Sequence, residues 1–548
     1  MHNYLQSEKK SWSIPHILLL ITATIAVFLN SFGGGFTYDD YDLIVNNKSI
    51  RYWHFWDLWE ITGRSTRTLS LMLDYSLFGE SKNGYIIQNI FWHLFSSILL
   101  YLLSLKLLDN KTASFFTALI FALHPIHVEA VANIANRKEA LCMTFSILSL
   151  LLYIKFLKGG GNYNYLYLFT SILAFYLALN SKQIALALPL CAAAYEYLYI
   201  EKEKRFITRR PTIFILLLSA SAFIVYIFKV KGVDFVKGGA LNDYDSISAA
   251  MHSPAALSHH LSLLFLPINL SPDYLIKLPE AGEKTALFIP WAVAIALSAS
   301  LFLVAKKNRA IAFGLLWGLF YYIPVSSAIP ETYFVADRYM YTPSAGIFIA
   351  ITEAVMIAYR RINPTKARPL PGLYLTLSIA ALLLLAALTL LNNSRWTDEI
   401  SLWSQQIRLY PDYAYKGYYN RAVAYKKISR YDDSLADFSK AIEIMQEEPE
   451  TYYERGIVFS MTNNYNAAII DFSKTIMIDP NHLKAYNNRG SLYAMTKQYK
   501  KAIKDFKKIL EMDEDNLFAK KNLVMIYSDT GDIAKATLYR KKISRTAR

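Results

Sequence analysis

The sequence predicts an all-α protein in which a polytopic bundle of about eleven membrane helices is followed by an α-solenoid. Of its 548 residues, 54% are hydrophobic and only 18% are charged, with a mean hydropathy of +0.21. A soluble chain would carry about a quarter charged residues. The deficit is uneven, because residues 411–548 hold 24 Lys and Arg and 18 Asp and Glu, which leaves 34 and 25 for the first 410. An apolar block joined to a polar tail with a 34-residue period excludes an ordinary soluble enzyme.

The apolar block contains runs long enough to cross about 30 Å of hydrocarbon. They lie at 15–31, 86–107, 112–128, 139–157, 163–180, 183–200, 211–230, 286–304, 310–325, 340–360 and 371–391. A further run at 250–268 is interrupted by His259, His260 and Pro267, which predicts a re-entrant or peripheral segment. The first run lacks a small-residue cleavage site and is interpreted as an uncleaved anchor.

The distribution of Lys and Arg predicts the orientation of these helices. Basic residues cluster at Lys9-Lys10, Lys202–Arg210 and Arg360–Arg368, all on one side of the predicted bundle. That side, with the N-terminus, should be cytoplasmic. The loop 32–84 and everything after residue 391 should then lie on the periplasmic, extracellular or lumenal face. The net charge of +15 fits basic cytoplasmic loops and anionic headgroups of the lipid bilayer better than a nucleic-acid partner.

The tail repeats every 34 residues, the period of tetratricopeptide helix pairs. The repeated positions are Arg421/Arg455/Arg489, Tyr431/Tyr465/Tyr499, Asp437/Asp471/Asp505 and Phe438/Phe472/Phe506. The pattern predicts a membrane domain at 1–397 and a repeat domain at 398–548, with a half-repeat, three repeats and a partial fourth. Such solenoids bind extended peptides or partner helices in a groove, although packing alone would also explain the pattern.

Tyr38-Asp39-Asp40-Tyr41-Asp42 directly follows the first membrane helix and three glycines. Because adjacent carboxylates repel, one of them should have a raised pKa, as a general base requires. A capping loop or a calcium-type loop is the alternative. Trp53, Phe55, Trp56 and Trp59 further along flank a short helix that is typical of an interfacial anchor, with substrate contact as the alternative.

Other polar residues gather on the predicted outer side. His124-Pro125-Ile126-His127-Val128-Glu129 carries two imidazoles and a carboxylate, but HxxH is a weak metal motif. Arg338 is suited to a phosphate, with an ion pair to Asp337 or a headgroup contact as the alternatives. Lys182 lies between two predicted helices, and the alternative to a phosphate-binding role is that its side chain snorkels to the membrane interface.

Several classes of function lack support in the sequence. No GxxxxGK[ST], GxGxxG or GxSxG occurs in a strand-turn-helix context, and Cys142 and Cys191 form neither a CxxC nor a disulfide pattern. The predicted spans carry no relay of buried charges of the kind that ion-coupled transporters use. Carboxylates and cations on one face favour chemistry at a membrane surface.

These motifs together resemble the transmembrane and tetratricopeptide repeat-containing protein O-mannosyltransferases. The matching segments are Phe36-Thr37-Tyr38-Asp39-Asp40, His124-Pro125-x-His127-x-Glu129-Ala130-Val131, Asn180-Ser181-Lys182, Leu270-Ser271-Pro272-Asp273-Tyr274, Ala336-Asp337-Arg338-Tyr339 and Arg395-Trp396-x-Asp398-Glu399-x-x-Leu402-Trp403. Two departures are Gln183, where relatives often have Glu, and Arg67-Thr68-Leu69, which lacks a common Pro.

The resemblance implies a GT-C glycosyltransferase that moves a sugar, mannose in the family, from a polyprenyl-phosphate donor to hydroxyl groups of protein acceptors on the outer face, with inversion. It implies that Asp39 and Asp40 are the catalytic pair and that Arg137, Lys182 and Arg338 bind the donor phosphate. His124, His127, Glu129 and Asp273 are further polar members of the predicted site. No cofactor is required, and a divalent metal beside the aspartates is compatible but not assumed. The alternatives are a lipid or polysaccharide acceptor, and a non-catalytic membrane scaffold whose repeats recruit partners.

Overall fold

A computed structural model describes residues 12–37, 39–51, 64–159, 164–206, 246–275, 306–326, 334–362 and 372–546, with scattered positions between 291 and 303. Within these ranges the chain is helical and has no strand, as predicted. It forms two compact units, Met1–Leu402 and Trp403–Arg548. The predicted boundary at 397/398 lies a few residues earlier.

The first unit contains twelve helices among the described residues. They are α1 Ile14–Phe28, α2 Ser65–Phe78, α3 Lys82–Leu107, α4 Lys111–Leu123, α5 Val128–Ala132, α6 Arg137–Lys158, α7 Asn164–Leu179, α8 Leu188–Tyr199, α9 Ser246–Phe265, α10 Arg309–Tyr322, α11 Tyr341–Ile362 and α12 Gly372–Asn393. Five stretches in the described ranges are long and apolar enough to cross a membrane, at Ile14–Ser31, Lys82–Leu107, Ile134–Lys158, Asp337–Ile362 and Leu375–Trp396.

The predicted count of eleven spans stays a prediction. The run 211–230 and most of 286–304 lie outside the described residues, as does the aromatic segment at Trp53–Trp59. The runs at 163–180 and 310–325 form shorter apolar helices, Tyr165–Leu179 and Arg309–Val325. The run at 183–200 is not one helix, because a 3₁₀ turn at Gln183–Ala187 precedes α8.

The run at 112–128 is bent rather than straight. Helix α4 ends at Leu123, and after Pro125 the chain continues at an angle of 52° to it. Proline has no backbone N–H and disfavours helical geometry in the residue before it, so His124 adopts an extended conformation instead. Counted as one broken span, this pair raises the number of candidate spans in the described part to six.

Close helix packing in the first unit depends on small residues. A Cβ added at Gly346 of α11 would lie 2.3 Å from the carbonyl oxygen of Gly314 in α10. No side chain fits in that space, so the two backbones can meet directly, as is common between membrane helices.

The loop after α1 is fastened to the end of the membrane block. A Cβ at Gly34 would lie 2.1 Å from the carbonyl oxygen of Thr397, so only glycine fits there. The ammonium group of Lys82, at the start of α3, donates to the carbonyl oxygen of Gly35 and, at 3.4 Å, to that of Thr397. Gly34 therefore lets the chain pass closely against neighbouring backbone ahead of the aspartates that follow.

The second unit is the predicted repeat array. Helix α13 (Glu399–Leu409) precedes four antiparallel pairs: α14 Tyr415–Lys427 with α15 Tyr431–Ile444, α16 Pro449–Met461 with α17 Tyr465–Ile478, α18 Leu483–Met495 with α19 Tyr499–Met512, and α20 Leu517–Asp529 with α21 Ile533–Thr546. The fourth pair is complete, whereas the sequence predicts only a partial repeat. Ala536 keeps the small buried position of Ala502, but Leu523 replaces the arginine and Arg540 the phenylalanine of the repeat. The motif is therefore weakened although both helices form.

Candidate active site

The adjacent aspartates lie in opposite environments. Asp39 is exposed, and its carboxylate has no hydrogen-bond partner among the described residues, whereas Asp40 is fully buried. The Asp40 carboxylate accepts hydrogen bonds from the backbone N–H of Thr37 at 3.2 Å and of Ala135 at 3.1 Å. Asp40 thus fastens the loop to the segment before α6, and Asp39 is the carboxylate that a substrate could reach.

Burial raises the pKa of Asp40 to about 7. The sequence predicts a raised pKa for one of the two aspartates, and this direction is confirmed. The predicted cause is wrong in its main part, since desolvation outweighs repulsion from Asp39, the smallest of the named influences. The two backbone N–H groups and Lys82 act in the opposite direction.

Arg137 is fully buried at the start of α6 and is enclosed by protein groups. Its guanidinium forms an ion pair with Asp74 of α2, donates from Nε to Asn89 Oδ1 at 2.6 Å and from Nη2 to the carbonyl oxygen of Tyr85 at 2.9 Å. Burial raises the pKa of Asp74 to about 6, although Arg137 acts to lower it. These contacts join α2, α3 and α6, and the predicted phosphate role of Arg137 stays a prediction.

Lys182 and Arg338 are each paired with a carboxylate as well. Lys182 Nζ lies 2.7 Å from Glu139 Oε1 and 5.3 Å from the ring centre of Tyr339. The Arg338 side chain pairs with Glu129, whose other oxygen accepts the backbone N–H of Arg338 at 2.9 Å.

The described ion pairs of Arg338 do not include the alternative pair with Asp337. Asp337 instead accepts a hydrogen bond at 2.5 Å from the hydroxyl group of Tyr274. Asp273 is buried beside that tyrosine, and its backbone carbonyl accepts the hydroxyl group of Ser271 at 2.8 Å. The segment 270–274 therefore reaches Asp337 through Tyr274, which sequence reasoning did not single out.

The two histidines of the predicted site connect helices. His124 accepts the backbone N–H of Ile126 at Nδ1 and reaches the carbonyl oxygen of Leu264 from Nε2 at 2.9 Å. His127 reaches the carbonyl oxygen of Phe121 at 2.7 Å and the hydroxyl group of Ser344 at 2.9 Å. In the part of the chain that the structure describes, no three His, Cys, Asp or Glu side chains are grouped as a metal site requires.

Two further cations, to which the sequence motifs gave no role, lie near the predicted site. Arg67 of α2 is 7% exposed, and its Nε is buried without a hydrogen-bond partner. Lys138, next to Arg137 in α6, is half-buried and has neither an ion pair nor a side-chain hydrogen bond in the described ranges. Asp39 lies within electrostatic range of Arg67, and Arg67 and Arg338 lie within electrostatic range of Lys138. Only the basic sequence around Arg137 could have indicated Lys138.

Comparisons with known proteins agree with this architecture. The sequence model of dolichyl-phosphate-mannose-protein mannosyltransferases matches residues 69–228, and that of the tetratricopeptide repeat matches 415–447 and 483–516. Protein O-mannosyl-transferase F38B6.6 of Caenorhabditis elegans is 27% identical over 76% of this chain and 60% of its own length. Protein O-mannosyl-transferase TMTC2 of Mus musculus is 34% identical over 25% of this chain and 18% of its own. The crystal structure of MamA, 20% identical, covers 27% of this chain and 86% of MamA with a TM-score of 0.26.

The chain thus spans less than two thirds of the length of these curated relatives, about three fifths in the nematode protein and about a fifth in the mouse protein. The candidate membrane helices and the mannosyltransferase match together indicate an integral membrane protein. The predicted resemblance to the transmembrane and tetratricopeptide repeat-containing protein O-mannosyltransferases is therefore confirmed.

Proposed function

We propose that this protein is a GT-C glycosyltransferase that moves mannose from a polyprenyl-phosphate donor to hydroxyl groups of protein acceptors. The observation that carries the proposal is the exposed Asp39 carboxylate, which has no described partner and stands within electrostatic reach of Arg67. The similarity to protein O-mannosyltransferases supports the sugar and the acceptor class.

Asp39 is the general base in this proposal. The acceptor hydroxyl loses its proton to Asp39 as its oxygen attacks the anomeric carbon, and the bond from that carbon to the phosphate oxygen breaks. Because the hydroxyl attacks opposite the leaving phosphate, the anomeric centre inverts. General-base catalysis contributes about 10²–10⁴-fold in rate, and the lipid phosphate is already a good leaving group.

Asp40 is a positioning residue in the same proposal. Its two backbone hydrogen bonds hold the loop that carries Asp39 against the segment before α6. A metal or other cofactor has no part in the reaction as proposed.

The proposed site faces the periplasm, the extracellular space or the lumen, and the N-terminus is cytoplasmic. On that face a lipid-linked donor and a protein acceptor can meet at the membrane surface. The repeat array binds the acceptor protein in this proposal. It offers four successive helix pairs, which suits an extended polypeptide better than a small lipid acceptor.

The experiment that tests the function is mass spectrometry of outer-face glycoproteins from cells with and without the gene. We expect hexose-modified Ser and Thr peptides to disappear with the gene and to return with the wild-type copy. An unchanged glycopeptide set, together with altered association of envelope proteins, would support the scaffold alternative. Loss of a mannosylated lipid with intact glycopeptides would instead identify a lipid acceptor.

Deletion of 411–548 tests the role of the repeats. The acceptor KM should rise while donor binding persists, because the deleted segment lies outside the membrane unit. Loss of donor binding by a truncated but folded membrane unit would contradict the role proposed for the array.

A further inference from the structure

We propose that Arg67 and Lys138 form the pair that holds the phosphate group of the polyprenyl-phosphate donor beside Asp39. This inference rests on the proposed function and deepens it, since it assigns the donor phosphate to two residues to which neither the motifs nor the resemblance gave a role.

The cations predicted to bind phosphate already have carboxylate partners. Each of the three cations predicted to bind phosphate already has a carboxylate of its own: Arg137 has Asp74, Lys182 has Glu139 and Arg338 has Glu129. Each of these pairs is neutral when both members are charged. An incoming anion would have to compete with a carboxylate that is held in place. Positive charge that is free to bind the donor phosphate must therefore come from other residues.

Arg67 supplies part of that excess. Its side chain is more than nine-tenths buried, no hydrogen bond to it exists in the described ranges, and its Nε is shielded from solvent. Burial, together with the nearby charge of Arg64, lowers the pKa of Arg67 to about 9. A buried guanidinium without a counter-ion is costly, and the cost is removed when an anion binds. A buried charged group without a partner is a candidate for a functional site.

Lys138 supplies the rest. It is half-buried at the start of α6, and the cations Arg64, Arg67 and Arg338 all act on its charge. The carboxylate of neighbouring Glu139 also acts on it, but Lys182 is the residue bonded to that carboxylate. Holding like charges close together costs free energy of folding, and a bound anion offsets that cost.

The chemistry of the donor fits this pair. A polyprenyl-phosphate sugar is a phosphodiester with one negative charge. When the bond between the anomeric carbon and the phosphate oxygen breaks, the electron pair stays on that oxygen and the acceptor proton goes to Asp39. The departing monoester therefore gains negative charge during the step. The fork of Arg67 and the point charge of Lys138 can stabilise that charge as it develops.

The position relative to Asp39 agrees with this assignment. Among the described residues, Asp39 is the carboxylate whose charge influences Arg67, and its own carboxylate carries no described hydrogen bond. The base therefore lies within electrostatic range of Arg67, which in turn lies within electrostatic range of Lys138, as attack opposite the leaving phosphate requires at a single sugar ring.

The test is a binding measurement on the full-length protein in lipid nanodiscs, with the sugar-free product polyprenyl phosphate as the probe. Arg67→Gln, Lys138→Gln and the double variant are compared with Arg51→Gln and Lys48→Gln, two cations of the same outer loop. We expect each site variant to lose about tenfold or more in affinity and both controls to bind as wild type, since a charge-assisted hydrogen bond is worth about 1.5–3 kcal/mol. Inorganic phosphate should compete weakly, and phosphatidylglycerol should not compete.

Folding is checked by thermal unfolding of each variant. Because the Arg67 side chain has no hydrogen-bond or ion-pair partner among the described residues, Arg67→Gln should keep or raise the Tm. Should it unfold, Arg67→Lys and Lys138→Arg keep the charge and should retain part of the affinity.

Unchanged affinity in the double variant would overturn the inference, as would equal losses in the two controls. Equal binding of phosphatidylglycerol would also overturn it, because the site would then take any anionic lipid. Binding of polyprenyl phosphate that depends on Arg67 and Lys138, without any transfer of sugar, would contradict the proposed function and leave the anion site standing.

Discussion

The two units of the chain use the same kind of ion pair in different ways. In the repeats, Arg421, Arg455 and Arg489 each bind one aspartate through two nitrogens at 2.7–2.9 Å and a serine hydroxyl group at 3.0 Å. The geometry recurs in the first three repeats because their sequence recurs, and it ends where Leu523 replaces the arginine in the fourth. In the membrane unit the pairs of Arg137, Lys182 and Arg338 each join different elements, and Arg67 and Lys138 have no ion pair among the described residues. A repeated pair indicates structure, whereas unmatched charge indicates a ligand.

The largest expected effect on stability comes from the buried pair of the membrane unit. Arg137→Gln leaves Asp74 in a buried position without its counter-ion, which typically costs about 3–5 kcal/mol. We expect a marked fall in Tm, measured by thermal unfolding in detergent. The double variant Arg137→Gln, Asp74→Asn should recover part of the loss, because no lone charge then remains. A double variant as unstable as the single variant would show that packing, not charge, dominates at this position.

The Arg–Asp pairs of the repeats should tolerate substitution better than the buried pair does. Arg455 is 19% exposed in its pair with Asp471, so water replaces part of the lost contact. We expect Arg455→Gln to cost about 1–3 kcal/mol, measured as loss of hydrogen-exchange protection in α16 and α17, without an effect on donor binding. A fall in donor affinity in Arg455→Gln would show that the Arg–Asp pairs of the repeats influence donor binding, and that they are not purely structural.

A further expected effect is the pH dependence contributed by Asp40. Its pKa of about 7 in the folded protein exceeds the ordinary value of 3.8, so the folded protein keeps a proton that the unfolded chain loses. Stability should therefore fall as the pH rises between about 4 and 7 and level off above that window. Asp74, with its pKa raised to about 6, acts in the same direction.

Asp40→Asn does not titrate and should flatten this dependence, measured as Tm against pH. The variant also loses an acceptor for one backbone N–H, so its Tm should be lower throughout. Asp42→Asn, in the exposed part of the same segment, is the control and should keep the wild-type slope. A slope unchanged in Asp40→Asn would assign the titration to another group.

Local patterns in the sequence predicted those parts of the structure that depend on neighbouring residues. The 34-residue period predicted the helix pairs and the recurring arginines, and the apolar runs predicted the long helices. The Asp39-Asp40 pair indicated a perturbed carboxyl group, but repulsion was taken as the cause because burial cannot be read from adjacency. Glu129 and Arg338 are 209 residues apart, and only the tertiary fold brings them together.

The same limit explains the missed cations. A lone arginine and a lysine on two separate helices carry no spacing signal, and the function proposed for them follows from the absence of partners among the described residues. Asp74 was likewise not considered as the partner of Arg137, since the two lie on helices that pack only in the folded chain.

The most direct test of the central claim is transfer of labelled mannose from a polyprenyl-phosphate donor in liposomes by the Asp39→Asn variant. Asn keeps the shape of the side chain and removes its basicity, so the rate should fall by about 10²–10⁴-fold while donor binding and Tm stay at wild-type values. Asp42→Asn, three residues further along and also exposed, should transfer mannose at the wild-type rate. Near-wild-type transfer by Asp39→Asn would contradict the assignment of Asp39 as the base.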